Sequence, residues 1–386
     1  MPPSLVPLDL LNLLFLPLMA ITAVSLRANW RQLWDEDLTA HDRQLIQRIA
    51  IFLLLPVVVF FHELGHVAAV RLFGGKVAEF HYAFLSGYVV PAGHFTADEK
   101  VWLYFAGNLV QILIGLVAAL AAALVSSPPV VALLVYLSLW SVGGTVILYT
   151  LLSVTGLYGD WIHIYTAPPS ALVAAIALSH LTLALAVVYA VYAEKPRLWF
   201  AAKTDPGWAA ENRLMVEHAG LFPSADNLVR LGWSYYFKGL NKTAVACLEA
   251  ARQVAPESPD VRIFEAALAD ERGRTGKAIQ CYQELIGNPD VPERLRLLAM
   301  MSLGRCLLRH GRRDQALATF IQAGQLAPDA ADPRYFIGAL LSEAGRLDEA
   351  EGHLRAAAIL EWMDKGLAAA NAGRLADIQK RRQSKQ

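Results

Sequence analysis

Cysteine is scarce in this 386-residue chain. There are three, Cys247, Cys281 and Cys306, and no CxxC spacing joins any two. That excludes a disulfide framework and a cysteine-ligated zinc module. Each cysteine falls within a helical pattern, as a small core residue does. A predominant sign of charge is lacking too: 34 lysines and arginines meet 34 aspartates and glutamates. Zero net charge argues against a general nucleic-acid binder, so no nucleic acid is expected among the partners. Charge is thin overall, at 18% of residues against 55% hydrophobic. The thinness is uneven. Before about residue 195 the chain holds nearly all of its long apolar runs, and beyond it turns polar and alanine-rich.

Five runs approach the length of about 20 residues that a helix needs to cross a bilayer. They cover 5–26, 49–73, 101–125, 130–155 and 171–192. The first has no basic segment ahead of it, so it reads as a retained helix rather than a signal peptide. Pro17 and Pro56 interrupt two of the runs, which a bilayer tolerates when neighbours satisfy the freed carbonyls. Residues 1–195 are therefore expected to form a polytopic transmembrane bundle of about five helices. The lipid bilayer is a partner, and the compact arrangement suggests a bacterial inner membrane.

Inside the second run stands His62-Glu63-Leu64-Gly65-His66. A helix turns about every 3.6 residues, so His62 and His66 share a face and can grip one metal ion. Ionisable groups in a membrane segment are costly and mark function. Zinc lowers the pKa of water to about 7, and Glu63 is placed to take a proton and pass it to a leaving amine. Gly65 is expected to remove bulk beside the metal. Catalytic zinc normally has three protein ligands. The best third donor is Asp160, at the C-terminal end of the fourth run, with His163 as its rival. His81 and His94 read as loop residues, and His180 as a histidine satisfied within the bundle.

Residues 77–91 are aromatic and β-prone, with Gly74-Gly75 before them and Ser86-Gly87 within. They predict a short hairpin or re-entrant strand beside the site, the alternative being an interfacial aromatic loop. Its edge, around Val89 and Val90, would bind an extended substrate.

The membrane half resembles the site-2 protease family of intramembrane metalloproteases, peptidase family M50. The resemblance is carried by Phe61-His-Glu-Leu-Gly-His66, Gly74-Gly75, Ala106-Gly107-Asn108 and Gly159-Asp160. It implies one zinc ion per chain, bound by His62, His66 and Asp160, with Glu63 as general base. It also implies a catalytic core of three transmembrane helices, here the second, third and fourth. Two family patterns are incomplete. Around the aspartate the family has an asparagine, a proline and Asp-Gly, where this chain has Leu152, Thr155, Asp160 and Trp161. In the intervening helix Ala-Gly-Pro-x-x-Asn becomes Ala106-Gly107-Asn108-Leu109-Val110-Gln111. Asn108 and Gln111 are candidates to hydrogen-bond a substrate backbone, or else to join helices. The expected function is an intramembrane zinc endopeptidase acting on membrane protein substrates. The alternative is an inactive membrane-anchored scaffold.

From residue 225 a period of about 34 residues governs the sequence. One unit holds Leu231-Gly232, Tyr235, Ala244, Leu248 and Pro256. Others hold Leu303-Gly304, Ala316, Phe320 and Pro328, then Ile337-Gly338, Ala350 and Leu354. A weaker copy contains Gly273, Ala278 and Tyr282. The spacing resembles the tetratricopeptide repeat, so the whole chain is expected to be all-α. Its parts would be the bundle (1–195), a linker (196–224), a tetratricopeptide α-solenoid (225–362) and a capping helix with tail (363–386). Such a solenoid binds a protein or peptide partner. With five crossings, counting bases in the flanking loops puts the repeats in the cytoplasm, whereas the family resemblance, which implies a zinc nearer the cytoplasmic face, favours the reverse.

Overall fold

The computed structural model describes residues 6–35, 38–155, 159–364 and 366–383, with side chains from Phe15 onward in the first helix. The chain divides into two compact units, Met1–Glu211 and Asn212–Gln386.

The first unit opens with α1 (Val6–Ala28) and the short α2 (Trp30–Leu33). Four helical spans among the described residues are long and apolar enough to cross a membrane: Ala40–Leu72, Ala97–Leu124, Pro128–Val154 and Ala171–Tyr192. The described part of the first, Phe15–Ala28, is a shorter apolar helix, so the expected crossing at 5–26 lies partly outside the described side chains.

Ala40–Leu72 starts earlier than its apolar run. Thr39 accepts from Asp42 N while Asp42 accepts from Thr39 N, a capping box that begins α3 (Ala40–Ile49) in polar sequence. Pro56 has no amide hydrogen to give, and directly ahead of it the helix widens to π over Ala50–Leu54. It continues as α4 (Leu55–Leu72), ended by Gly74 at φ +75°.

The predicted hairpin is present. Strands β1 (Lys76–Ala83) and β2 (Ser86–Ala92) pair antiparallel, with Tyr82 opposite Gly87, Phe80 opposite Val89, and a bulge between Val77 and Glu79. Tyr82 ties the hairpin to the bundle by donating to Pro56 O at 2.7 Å.

A second capping box, Thr96 with Glu99, starts α5 (Ala97–Leu124). The fourth span is α6 (Pro128–Ser138), a π-helical stretch Leu139–Leu148, and α7 (Tyr149–Val154). Then come the six-residue α8 (Asp160–Tyr165) and α9 (Ala171–Tyr192). Helix α9 buries little of itself and leaves Leu178, Leu181 and Leu185 exposed, as a lipid-facing helix does.

The stretch expected to be a linker is helical: α10 (Glu194–Thr204) and α11 (Pro206–Leu221), with Asp205 Oδ1 accepting Trp208 N at 2.9 Å. The division between units falls inside α11.

The second unit is built of helix pairs. They are α12 (Ala225–Phe237) with α13 (Asn241–Val254), α14 (Pro259–Glu271) with α15 (Thr275–Gly287), α16 (Glu293–Arg309) with α17 (Arg313–Leu326), and α18 (Ala331–Glu343) with α19 (Leu347–Ala358). Gly239, Gly273, Gly311 and Gly345 turn each pair, all at positive φ, which costs glycine nothing. Aromatic and leucine side chains fill the space beside small residues: Phe264 against Gly232, Phe320 against Gly304, Leu354 against Gly338. The last helix, α20 (Gly366–Gln383), buries Ile378 and donates Asn371 Nδ2 to Leu354 O at 2.9 Å, closing the stack.

Candidate metal centre

Helix α4 carries His62, Glu63 and His66 buried within an otherwise apolar span. Against it lies α5, so close that a Cβ on Gly65 would meet Ala106 O at 2.7 Å. Gly65 therefore serves the approach of two helices, not space beside a metal as the motif alone suggests.

Across this contact His66 Nδ1 donates to Leu103 O at 2.6 Å. A carbonyl only accepts, so the proton sits on Nδ1 and Nε2 presents a lone pair. That lone pair faces His62 Nε2 at 3.1 Å. Asp160 Oδ2 completes a triangle, 3.1 Å from His62 Nε2 and 3.3 Å from His66 Nε2. Tetrahedral zinc with bonds of about 2.0 Å holds its ligand atoms about 3.3 Å apart, so two imidazoles and a carboxylate at these separations fit the ion.

Asp160 does not sit at the end of the fourth span, as its sequence position suggests. The span ends at Val154, and Asp160 opens α8 after an extended Gly159. The intervening residues 156–158 lie outside the described residues. Tyr149 brings the carboxylate back: its hydroxyl donates to Asp160 Oδ2 at 3.3 Å and accepts from Asp160 N at 3.1 Å.

Two glycines wall the site. A Cβ on Gly107 would lie 2.3 Å from His66 Nε2 and 2.6 Å from His62 Nε2. On Gly87 of β2 it would lie 2.6 Å from the Glu63 carboxylate. The hairpin thus packs directly over Glu63, whose Oε2 is buried without a hydrogen-bond partner. Linear reading had no signal for Tyr149 or the Leu103 carbonyl. The signal for Gly107 was the Ala-Gly-Asn string, and for Gly87 its place within the β-prone run.

The remaining sequence candidates lie outside the triad, although the Gln111 side chain lies against His62. Asn108 is fully buried and donates to Tyr104 O at 3.4 Å on its own helix, with Oδ1 unpartnered. Gln111, one turn on, is also buried. Val89 packs on the cluster of Ala69, Val70 and Leu103, whereas its neighbour Val90 is exposed. His163 stacks on Tyr104 at 4.3 Å, outside the triad. His81, expected in a loop, lies in β1 and stacks on Tyr88, because the hairpin extends through it. His94 follows β2 in a loop. His180 is satisfied inside the bundle, bonded to Val146 O and Tyr165.

A second group of metal-type donors, Asp270, Cys306 and His310, lies in the repeats. There the carboxylate already receives Arg309, Thr275 and His310, and burial pushes the Cys306 thiol up to about 12. It reads as a lock between repeats. The three cysteines are free.

Residues 43–207 match the family model described as Peptidase M50B-like. Residues 229–292 and 299–360 match the tetratricopeptide repeat model. No curated protein matches. Solved structures that resemble the chain include TTC0263, a thermophilic TPR protein of Thermus thermophilus, at 25% identity over 36% of this chain and 74% of that one, TM-score 0.31. YrrB, a TPR protein with an unusual peptide-binding site, aligns at 20% identity over 49% and 98%, TM-score 0.29. Yeast Tom70 aligns at 13% over 75% and 56%, TM-score 0.37. The repeat assignment rests on the family model and the helix pairs. The chain carries a Peptidase M50B-like region followed by tetratricopeptide repeats.

Proposed function

We propose that the first unit is an intramembrane zinc endopeptidase that hydrolyses peptide bonds of membrane-embedded protein substrates. The observation that carries this reading is the triangle of His62, His66 and Asp160 beside Glu63, whose buried Oε2 has no hydrogen-bond partner, with the histidines and Glu63 on a helix long enough to span a bilayer. Zinc, when bound by the three side chains, supplies Lewis acidity that polarises a peptide carbonyl and acidifies water.

The chain's own residues do the rest. Leu103 O and Tyr149 orient His66 and Asp160. Glu63 accepts a proton from the attacking water and hands it to the departing amine nitrogen, as general base and then general acid. Gly107 keeps the space beside the imidazoles clear. The free edge of the hairpin, at Val90, lays the substrate out as an extended strand, and Asn108 and Gln111 are offered for its backbone.

The repeat unit recruits a protein partner, either substrate or regulator. A groove of about 500 Å³ between α13, α14 and α15 supports this. Its lining sets Arg252, Arg262, Arg272, Arg274 and Lys277 against Glu249 and Glu265, a balance on the basic side that suits an acidic segment. The same reading puts the chain in a bacterial inner membrane, with the basic loops and the repeats on the cytoplasmic side.

The test compares wild type with Glu63→Gln in zinc content and in cleavage of a model transmembrane substrate. Retained zinc with cleavage reduced roughly 100- to 10,000-fold is expected. Equal cleavage by both would end the reading of Glu63 as base. No cleavage by wild type, with partner binding intact in both, would favour the scaffold.

A further inference from the structure

Two carbonyls within the fourth span are held by side chains of other helices. The span is π-helical over Leu139–Leu148, and its closing bond runs from Tyr149 N to Gly144 O. Where five-residue spacing returns to four, a carbonyl loses its amide partner. Thr145 and Val146 stand at that junction. Trp161 Nε1 donates to Thr145 O at 2.9 Å, and His180 Nε2 donates to Val146 O at 2.6 Å, which the Thr150 hydroxyl of the same span also reaches at 3.2 Å. The other nitrogen of His180 bonds the Tyr165 hydroxyl. The rings stack, with Trp161 and His180 centroids 4.0 Å apart and Trp161 and Tyr165 5.8 Å apart.

These contacts bear on the metal centre through chain geometry. Trp161 follows Asp160 directly, and Tyr165 ends the same helix. A six-residue helix does not hold itself, since helices below about 12 residues are marginal alone. Its position comes from its partners, and Trp161, 1% exposed, anchors it together with Ile164. Tyr149 fixes the carboxylate, while the indole and imidazole fix the helix behind it.

We propose that Trp161 and His180 are positioning residues for the third metal donor. They clamp α8 to the carbonyls of the π-helical stretch, and so keep Asp160 Oδ2 within reach of both imidazoles. This rests on the zinc reading above. Without the clamp, α8 shifts and the ion is left with two histidines.

The experiment measures zinc affinity of the full-length chain in detergent by competition with a chelator. Zinc-free melting and cleavage are recorded in parallel. Trp161→Phe, which keeps a ring for stacking but loses the N–H, is expected to weaken zinc binding about 10- to 100-fold, the usual range for a supporting partner. His180→Phe should do the same. His180→Gln, which keeps a donor for Val146 O, should recover much of the loss. Trp199→Phe, on the exposed face of α10, should change nothing. In cleavage the two clamp variants should lower kcat with KM little changed. Wild-type zinc affinity in both phenylalanine variants, with only their zinc-free melting lowered, would overturn the inference while leaving the zinc reading intact. Absence of zinc from the wild type would overturn both.

Discussion

One added methyl group separates the two jobs of the metal centre. At position 107 it would press on both imidazole Nε2 atoms; at position 87 it would press only on the Glu63 carboxylate. Gly107→Ala is therefore expected to weaken zinc binding at least about tenfold and to abolish cleavage, while the helix itself gains propensity. Gly87→Ala should keep zinc and lose cleavage, because the Glu63 side chain must swing away. Metal analysis alongside a cleavage assay checks both, and zinc loss in Gly87→Ala would contradict the packing of β2 over Glu63. At this scale the sequence is legible where spacing alone brings atoms together. His62 and His66 are one helical turn apart, so their meeting needed no tertiary knowledge. Tyr149 reaches Asp160 across residues 156–158 and the end of a helix, a contact that no periodicity announces. Gly65 shows the converse: its place in the motif suggested a role at the metal, but the neighbour it admits is the Ala106 carbonyl.

Among the elements, the hairpin was readable from β-prone aromatics between glycines, and its strands follow that pattern. What the pattern cannot supply is which face turns inward. Val89 packs inward and Val90 faces out, so the two are not equivalent. Val90→Pro is expected to reduce cleavage with zinc retained, if the free edge holds substrate. Unchanged turnover would assign the hairpin to packing alone. The π-helical stretches were not legible either, because Leu139–Leu148 has the composition of any apolar helix. In the repeats, Asp270 joins α14 to Thr275 of α15, to Arg309 at the end of α16 and to His310 just after it. Burial would raise its pKa, but these hydrogen bonds and the Arg309 charge outweigh it and hold the carboxyl below its ordinary value. A carboxyl depressed on folding stabilises the fold above its unfolded pKa of about 3.9, and that contribution is lost as pH falls through the lower folded value. Melting of the repeat unit should therefore drop below about pH 4, and Asp270→Asn should lower melting at neutral pH while flattening that drop. Calorimetry across the acid range checks this, and an unaltered acid slope would contradict it.

For the whole molecule, the division into an apolar half and a repeat half was plain from composition, and two compact units follow it. The expected linker is helical, and the division falls within α11, shortly after the Pro206-Gly207 pair that opens it. On the proposed orientation, a reporter fused after Gln386 is expected to be active in the cytoplasm. Activity only outside would reverse the orientation. The most direct measurement is zinc-edge X-ray absorption of the purified full-length chain. It should give one zinc per chain, with two imidazole nitrogens and a carboxylate oxygen in the first shell, and loss of that oxygen's share in Asp160→Ala. A chain that holds no zinc when zinc is supplied, or a first shell containing sulfur, would contradict the assignment of His62, His66 and Asp160 as the metal centre.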